Sequence, residues 1–213
     1  MDKSHIALAE MVERAYHSHT FSYNDVEFLV VYEDDNVYVV FRGTEVTGYE
    51  SHTFWEKFSD LRDVVRDLRI APWPIKIDGT EYFGHAGFIK GALGAYEILK
   101  GHLKDVNGDV FVLGHSLGGA IALVVGLELA KTRNVQIITF GSPKVFCKKI
   151  KIPDNAKLTM YKNGRDLITM VPIGRHPVKL EKIGKPSHWF PNIDDHGISK
   201  YIKSLKRELK NDL

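Results

Sequence analysis

Residues 109–119 read Asp-Val-Phe-Val-Leu-Gly-His-Ser-Leu-Gly-Gly, and this stretch decides the fold. Val110, Phe111, Val112 and Leu113 form a short apolar run, the pattern of a strand buried on both faces. Gly114-His115-Ser116-Leu117-Gly118 fits G-x-S-x-G, and Ala120 to Lys131 continues with helical composition. Strand, motif and helix in succession describe a sharp turn that lifts a serine hydroxyl clear of a sheet, at the positive end of a helix. Glycines two before and two after the serine remove side chains that would clash in so tight a turn. Gly119 and Ala120 let the helix pack close behind the strand. Ser116 is therefore a candidate nucleophile. The competing reading, a Gly-rich turn with an incidental serine, leaves the flanking strand and helix unexplained.

The chain has 213 residues, which predicts one domain spanning 1–213 rather than two very small ones. Hydrophobic residues make up 44%, enough for a core and contrary to disorder. A net charge of +2, with no basic cluster interleaved with aromatics, excludes nucleic acid as the expected partner. The one cysteine, Cys147, cannot form an intramolecular disulfide, which favours a reducing compartment. Met1 to Glu10 lacks an apolar signal-peptide core and reads as the start of a helix. No run approaches the ~18 apolar residues of a membrane span. A cytoplasmic location is expected from these features. Nothing in the composition calls for a cofactor or an obligate protein partner.

Hydrophobic periodicity predicts an amphipathic helix over 5–17 and strands over 27–32 and 36–42. Glu33-Asp34-Asp35-Asn36 between the strands is turn chemistry, so they read as an antiparallel hairpin. Residues 46–69 carry helical segments, which Pro72 and Pro74 end. Further helices are expected over 88–103, 117–131 and 197–210, and further strands over 135–140, 157–162 and 178–183. Strands alternating with helices imply an α/β fold, a mostly parallel sheet covered on both faces, with the hairpin as an antiparallel edge.

A serine hydroxyl is a weak nucleophile at neutral pH and needs a base. After a turn of this kind the partners follow in the order Ser, Asp/Glu, His. Chain order leaves His176, His188 and His196. His196 follows the loop Pro191-Asn192-Ile193-Asp194-Asp195 and opens the last helix, the position expected of the base. Asp166 follows strand 157–162 through Asn163-Gly164-Arg165, at a strand's C-terminal end where ligand-directed groups gather. Its carboxylate would accept the His196 Nδ1–H and set the tautomer. Asp194 and Asp195 read as caps of the terminal helix. A negatively charged intermediate needs fixed donors: the Leu117 N–H is one, and Thr44, leaving the strand Phe41-Arg42-Gly43, offers another. His17-Ser18-His19 reads as a solvated pair rather than a metal site, and no metal is expected.

Taken together these segments resemble the class 3 lipases, the α/β-hydrolase family of the fungal triacylglycerol lipases. The resemblance covers roughly residues 27–202 in seven motifs. They are Phe41-Arg42-Gly43-Thr44, Asp63 to Leu68, His85-Ala86-Gly87-Phe88, Gly114 to Gly119, Phe140-Gly141-Ser142-Pro143, Asp166 with Val171-Pro172, and His196 with Tyr201. It implies the α/β-hydrolase fold, a triad of Ser116, Asp166 and His196, an oxyanion hole of Thr44 and Leu117, and a structural role for His85 beneath the site. The chain departs from the family at Phe146, Val64 and Glu45. Eighteen residues separate Thr44 from Asp63, more than in simple members. That stretch holds Phe54, Trp55, Phe58 and Leu61 at i, i+1, i+4 and i+7, one apolar face of a short helix. A lid over about 47–61, with Phe54, Trp55 and Phe58 as acyl contacts, is expected from this spacing and from the lid position in the fungal relatives; an ordinary core helix is the competing reading.

The resemblance implies a serine carboxylester hydrolase acting on a lipid or other small-molecule acyl ester through an acyl-enzyme, with no cofactor. Phospholipase A1 or thioesterase activity is open to the same residues. An inactive lipase-like ligand- or partner-binding protein is the alternative class, against which the complete Ser/Asp/His set argues. Lys203, Lys206, Arg207 and Lys210 on the last helix suggest transient contact with an anionic membrane, but Glu208 and Asp212 interleave and favour a solvated face.

Overall fold

The computed structural model describes residues 3–23, 26–43 and 71–211. Among these, the elements run α1 (Lys3–Ala15), β1 (Phe21–Tyr23), β2 (Val26–Glu33), β3 (Asn36–Phe41), β4 (Pro72–Ile77), β5 (Thr80–His85) and α2 (Ala86–His102). There follow β6 (Val110–His115), α3 (Leu117–Leu129), β7 (Val135–Phe140), β8 (Ala156–Asn163), a 3-10 turn (Ile168–Met170), β9 (Glu181–Ile183) and α4 (Ile198–Asn211). The expected lid with Phe54, Trp55 and Phe58, the helical segments at 46–69, and Thr44 lie outside the described residues.

The main sheet has the order β1-β2-β3-β6-β7-β8-β9. From β3 to β9 neighbouring strands are parallel, and β1 and β2 add the antiparallel side. Side-chain alternation divides the interior into two layers. Val37, Val39 and Phe41 of β3, Val110 and Val112 of β6, and Val135 and Ile137 of β7 point to the face covered by α2 and α3. Val40, Leu113, Ile138 and Phe140 point to the opposite face, under α1 and α4. Such double coverage is what near-continuous apolar strands require.

Helix α3 is the most enclosed: every residue from Gly118 to Leu129 is buried. This explains why its sequence is apolar all round rather than striped. Each large aliphatic side chain there contributes about 1.5–3 kcal/mol by burial. Helix α4 is different. It is amphipathic, with Tyr201, Ile202 and Leu205 inward and its lysines toward solvent.

Two expectations are corrected. Pro72 and Pro74 do not merely end a segment; they lie in β4, which among the described residues pairs only with β5 in a separate two-stranded hairpin. Proline is tolerated there because β4, with one strand neighbour among the described residues, is an edge strand. Asp78-Gly79, at φ 49° and 74°, forms the two-residue turn, and that dipeptide was the legible signal. The strand expected over 178–183 is confined to Glu181–Ile183. Val178 and Leu180 pack on the core instead.

Candidate active site

The turn between β6 and α3 places Ser116 at φ 57° and ψ −128°, a conformation unfavourable for any residue with a side chain. The surrounding backbone enforces it. A Cβ on Gly114 would overlap the Gly118 carbonyl, and one on Gly118 would overlap the Phe41 and Arg42 carbonyls. The Ser116 N–H donates to the Phe140 carbonyl at 3.0 Å, fixing the turn to the end of β7. Leu117 is the first residue of α3, so its N–H has no acceptor within the helix.

Three side chains expected from the sequence meet here. His196 Nε2 lies 2.8 Å from Ser116 Oγ, and His196 Nδ1 lies 2.8 Å from Asp166 Oδ2. Asp166 is fully buried and His196 nearly so. An ionised carboxylate only accepts, so Nδ1 carries the hydrogen, and in a neutral imidazole Nε2 is then the acceptor facing the hydroxyl. Asp166 stands just beyond the C-terminal end of β8, and its carboxylate is fully engaged. Oδ1 accepts the Ile168 N–H at 2.8 Å, and Oδ2 also accepts the Tyr201 hydroxyl at 2.6 Å. Tyr201 is buried; burial first, and the Asp166 charge second, push its phenol well above the ordinary tyrosine range, so it remains a donor. The pairing of His196 with Tyr201 was read from the resemblance; the bond from Tyr201 to the carboxylate was not.

The other two histidines that chain order left open, His176 and His188, make different contacts. His176 Nε2 donates to the Thr169 carbonyl at 2.7 Å, and burial lowers its pKa. His188 pairs with Asp194 at 2.8 Å on the surface. His85 is buried and bonds the Ile173 carbonyl through Nε2 at 2.9 Å, bracing the loop that follows Asp166. Phe146, one departure from the family, is fully buried and bridges Gly84 to Arg175. It thereby ties the β4–β5 hairpin to that same loop.

Asp194 and Asp195 do not serve as helix caps. Asp195 is buried and accepts the Arg165 N–H at 2.8 Å, the Ser187 N–H at 3.0 Å and the Ser187 hydroxyl at 2.5 Å. Burial pushes its carboxyl up, but these donors and Asn192 outweigh it and hold the pKa below the usual value. One carboxylate thus joins the loops carrying Asp166 and His196. Sequence reasoning missed it because its donors, the Arg165 and Ser187 N–H groups, the Ser187 hydroxyl and the Asn192 amide, come from three separate positions with no shared motif. Among the described residues, no three His, Cys, Asp or Glu side chains stand together as a metal site, and no helix is long and apolar enough to cross a membrane.

The family model for lipase (class 3) matches residues 38–176, well over half of the chain. The chain belongs to the class 3 lipase family. The match includes Ser116 and Asp166 and stops short of His196. Among solved structures, the triacylglyceride lipase of Rhizomucor miehei is similar, with a TM-score of 0.53 and 24% identity over 72% of this chain and 58% of that one. That likeness shows the α/β-hydrolase fold. Two curated relatives from Arabidopsis thaliana are matched over shorter stretches. Phospholipase A1 PLIP1, chloroplastic, is 37% identical over 92 residues, and phospholipase A1 PLIP2, chloroplastic, is 31% identical over 98 residues. The matches cover 37% and 38% of this chain but only 14% of each relative.

These two relatives overturn the cytoplasmic expectation, since both are named as chloroplastic. The error has a physical origin. One free cysteine and an ordinary domain composition reflect redox chemistry and folding, whereas a compartment is set by an address that receptors read.

Proposed function

We propose that this class 3 lipase domain is a serine carboxylester hydrolase that cleaves a lipid ester through an acyl-enzyme. The single observation that carries the reading is the continuous hydrogen-bonded chain from Asp166 through His196 to Ser116. Ser116 Oγ attacks the ester carbonyl carbon as its proton passes to His196 Nε2. The resulting oxyanion is held by the Leu117 N–H at the positive end of α3. Collapse expels the alcohol, which takes the proton back from His196. Water then repeats the sequence on the acyl-Ser116 ester and releases the carboxylic acid. Asp166 stays ionised throughout and stabilises the imidazolium.

A lipid substrate suits two exposed apolar side chains on the loops that carry the site residues. Ile173 is 93% exposed and Trp189 82% exposed, on loops that follow Asp166 and precede His196. Side chains of that kind are stable against an apolar or interfacial phase. The names of the two Arabidopsis relatives favour a glycerophospholipid. The test is fatty-acid release from phosphatidylcholine labelled at one acyl position at a time, run beside triolein and p-nitrophenyl butyrate. Release from the sn-1 position is expected. Failure to release acid from every ester offered, by folded protein, would overturn the proposal.

A further inference from the structure

His115, between Gly114 and Ser116, has no part in the proton transfers described above, yet it is buried directly beneath them. Its Nε2 lies 2.7 Å from the backbone carbonyl of His196, and its Nδ1 lies 2.8 Å from the Tyr16 hydroxyl. The Tyr16 oxygen accepts the Gly43 N–H at 3.2 Å. Gly43 is pressed against the turn: a Cβ there would lie 2.6 Å from the Tyr16 hydroxyl and 2.8 Å from the His115 carbonyl. Three distant parts of the chain therefore meet at one imidazole: the end of α1, the exit of β3, and the backbone of the proposed base.

We infer that Tyr16 and His115 are positioning residues, which hold the His196 backbone and the Gly43 exit of β3 in register with Ser116 through one directed hydrogen-bond chain. The proposal rests on the hydrolase reading above.

The direction of every bond follows from the chemistry of its ends. A carbonyl only accepts, so His115 Nε2 carries a hydrogen and donates it to His196. Burial, and then the neighbouring His196, lower the His115 pKa to about 3, so the ring is neutral and Nδ1 is bare. Nδ1 must accept, so Tyr16 donates to it, and a tyrosine oxygen lone pair is left for the Gly43 N–H. Phenylalanine at 16 breaks both of these bonds at once, and a side chain without an N–H at 115 releases the His196 carbonyl.

Ring geometry gives neutrality a second use. The His115 and His196 rings are 4.6 Å apart and tilted by 30°. During turnover His196 becomes a cation. A neutral imidazole against its face accommodates that charge, whereas a second cation would oppose it. The Arg42 guanidinium lies 5.7 Å from the Tyr16 ring and pairs with Glu27 at 2.8 Å, so the tyrosine is itself held from the β2–β3 side.

The variants Tyr16→Phe, His115→Gln and His115→Leu separate positioning from folding. Turnover is measured per active site, with sites counted by stoichiometric phosphonylation. Tyr16→Phe is expected to lower kcat per site by about 10- to 100-fold with KM nearly unchanged, the scale of a small misplacement of reacting groups. His115→Gln, which retains an N–H, should recover part of the activity that His115→Leu loses. Unchanged kcat per site in Tyr16→Phe, with only fewer active molecules, would overturn the inference and leave a structural role alone. Equal activity of the Gln and Leu variants would overturn the His115 arm. The ring nitrogens of the unmodified protein give an independent readout by 15N NMR at neutral pH. A neutral His115 protonated at Nε2, and a His196 resonance that moves in Tyr16→Phe, are expected. A His115 protonated at Nδ1, or a His196 signal indifferent to Tyr16, contradicts the inference. Because this readout needs no turnover, a protein inert toward esters would sink the hydrolase reading while the hydrogen-bond chain is still decided.

Discussion

Ser116→Ala is expected to lower kcat for ester hydrolysis by about 10⁴- to 10⁶-fold, the loss that follows removal of the nucleophile from a Ser-His-Asp set. Serine and alanine differ by one oxygen, and the strained turn at φ 57° is imposed by Gly114 and Gly118 rather than by the hydroxyl. The Ser116 N–H still reaches the Phe140 carbonyl, and His196 keeps its bond to Asp166. The melting temperature should therefore change little while turnover disappears. Initial rates on a soluble ester, measured beside thermal unfolding, check both halves. Retention of more than a tenth of the activity would remove Ser116 from the mechanism.

Asp166→Asn should cost about 10⁴-fold in kcat through the tautomer of His196, the size associated with this change in Ser-His-Asp sites. Three donors converge on the Asp166 carboxylate: the Ile168 N–H, the Tyr201 hydroxyl and His196 Nδ1. An amide has one oxygen and one NH2 group. With its oxygen toward Ile168, the NH2 faces two other donors, which cannot all be satisfied. His196 escapes by moving its hydrogen to Nε2, and a protonated Nε2 cannot accept the serine proton. With the oxygen turned to His196, the buried Ile168 N–H loses its acceptor. Either arrangement leaves a buried donor unpaired, so a stability loss of about 1–3 kcal/mol accompanies the kinetic one. Activity within tenfold of the unchanged protein would show that His196 is oriented by something other than Asp166.

Much of this was legible in the sequence because it is local. The β6–turn–α3 unit announces itself through one apolar run, two glycines and an apolar helix. Asp166 and His196 could be found because chain order and strand ends restrict where such partners stand. The parts that were not legible are those whose partners lie far away or on the backbone. Nothing at Tyr16 indicates that its hydroxyl meets His115, 99 residues later. Asp195 looks like a helix cap by position, yet its acceptor capacity goes to Arg165 and Ser187. The β4–β5 hairpin was hidden because two prolines suppress a strand assignment, although Asp78-Gly79 marks its turn. Compartment is a different case, since no contact within the fold encodes it.

Stoichiometric reaction with a fluorophosphonate ester, followed by mass mapping of the modified residue, tests the central claim most directly. Phosphorus is attacked by the same activated oxygen that would attack an ester carbonyl, and the adduct is stable. The account predicts one phosphonyl group per folded chain, on Ser116, with the reaction abolished in Ser116→Ala. Folded protein that takes up no label, or carries it on another residue, contradicts the account.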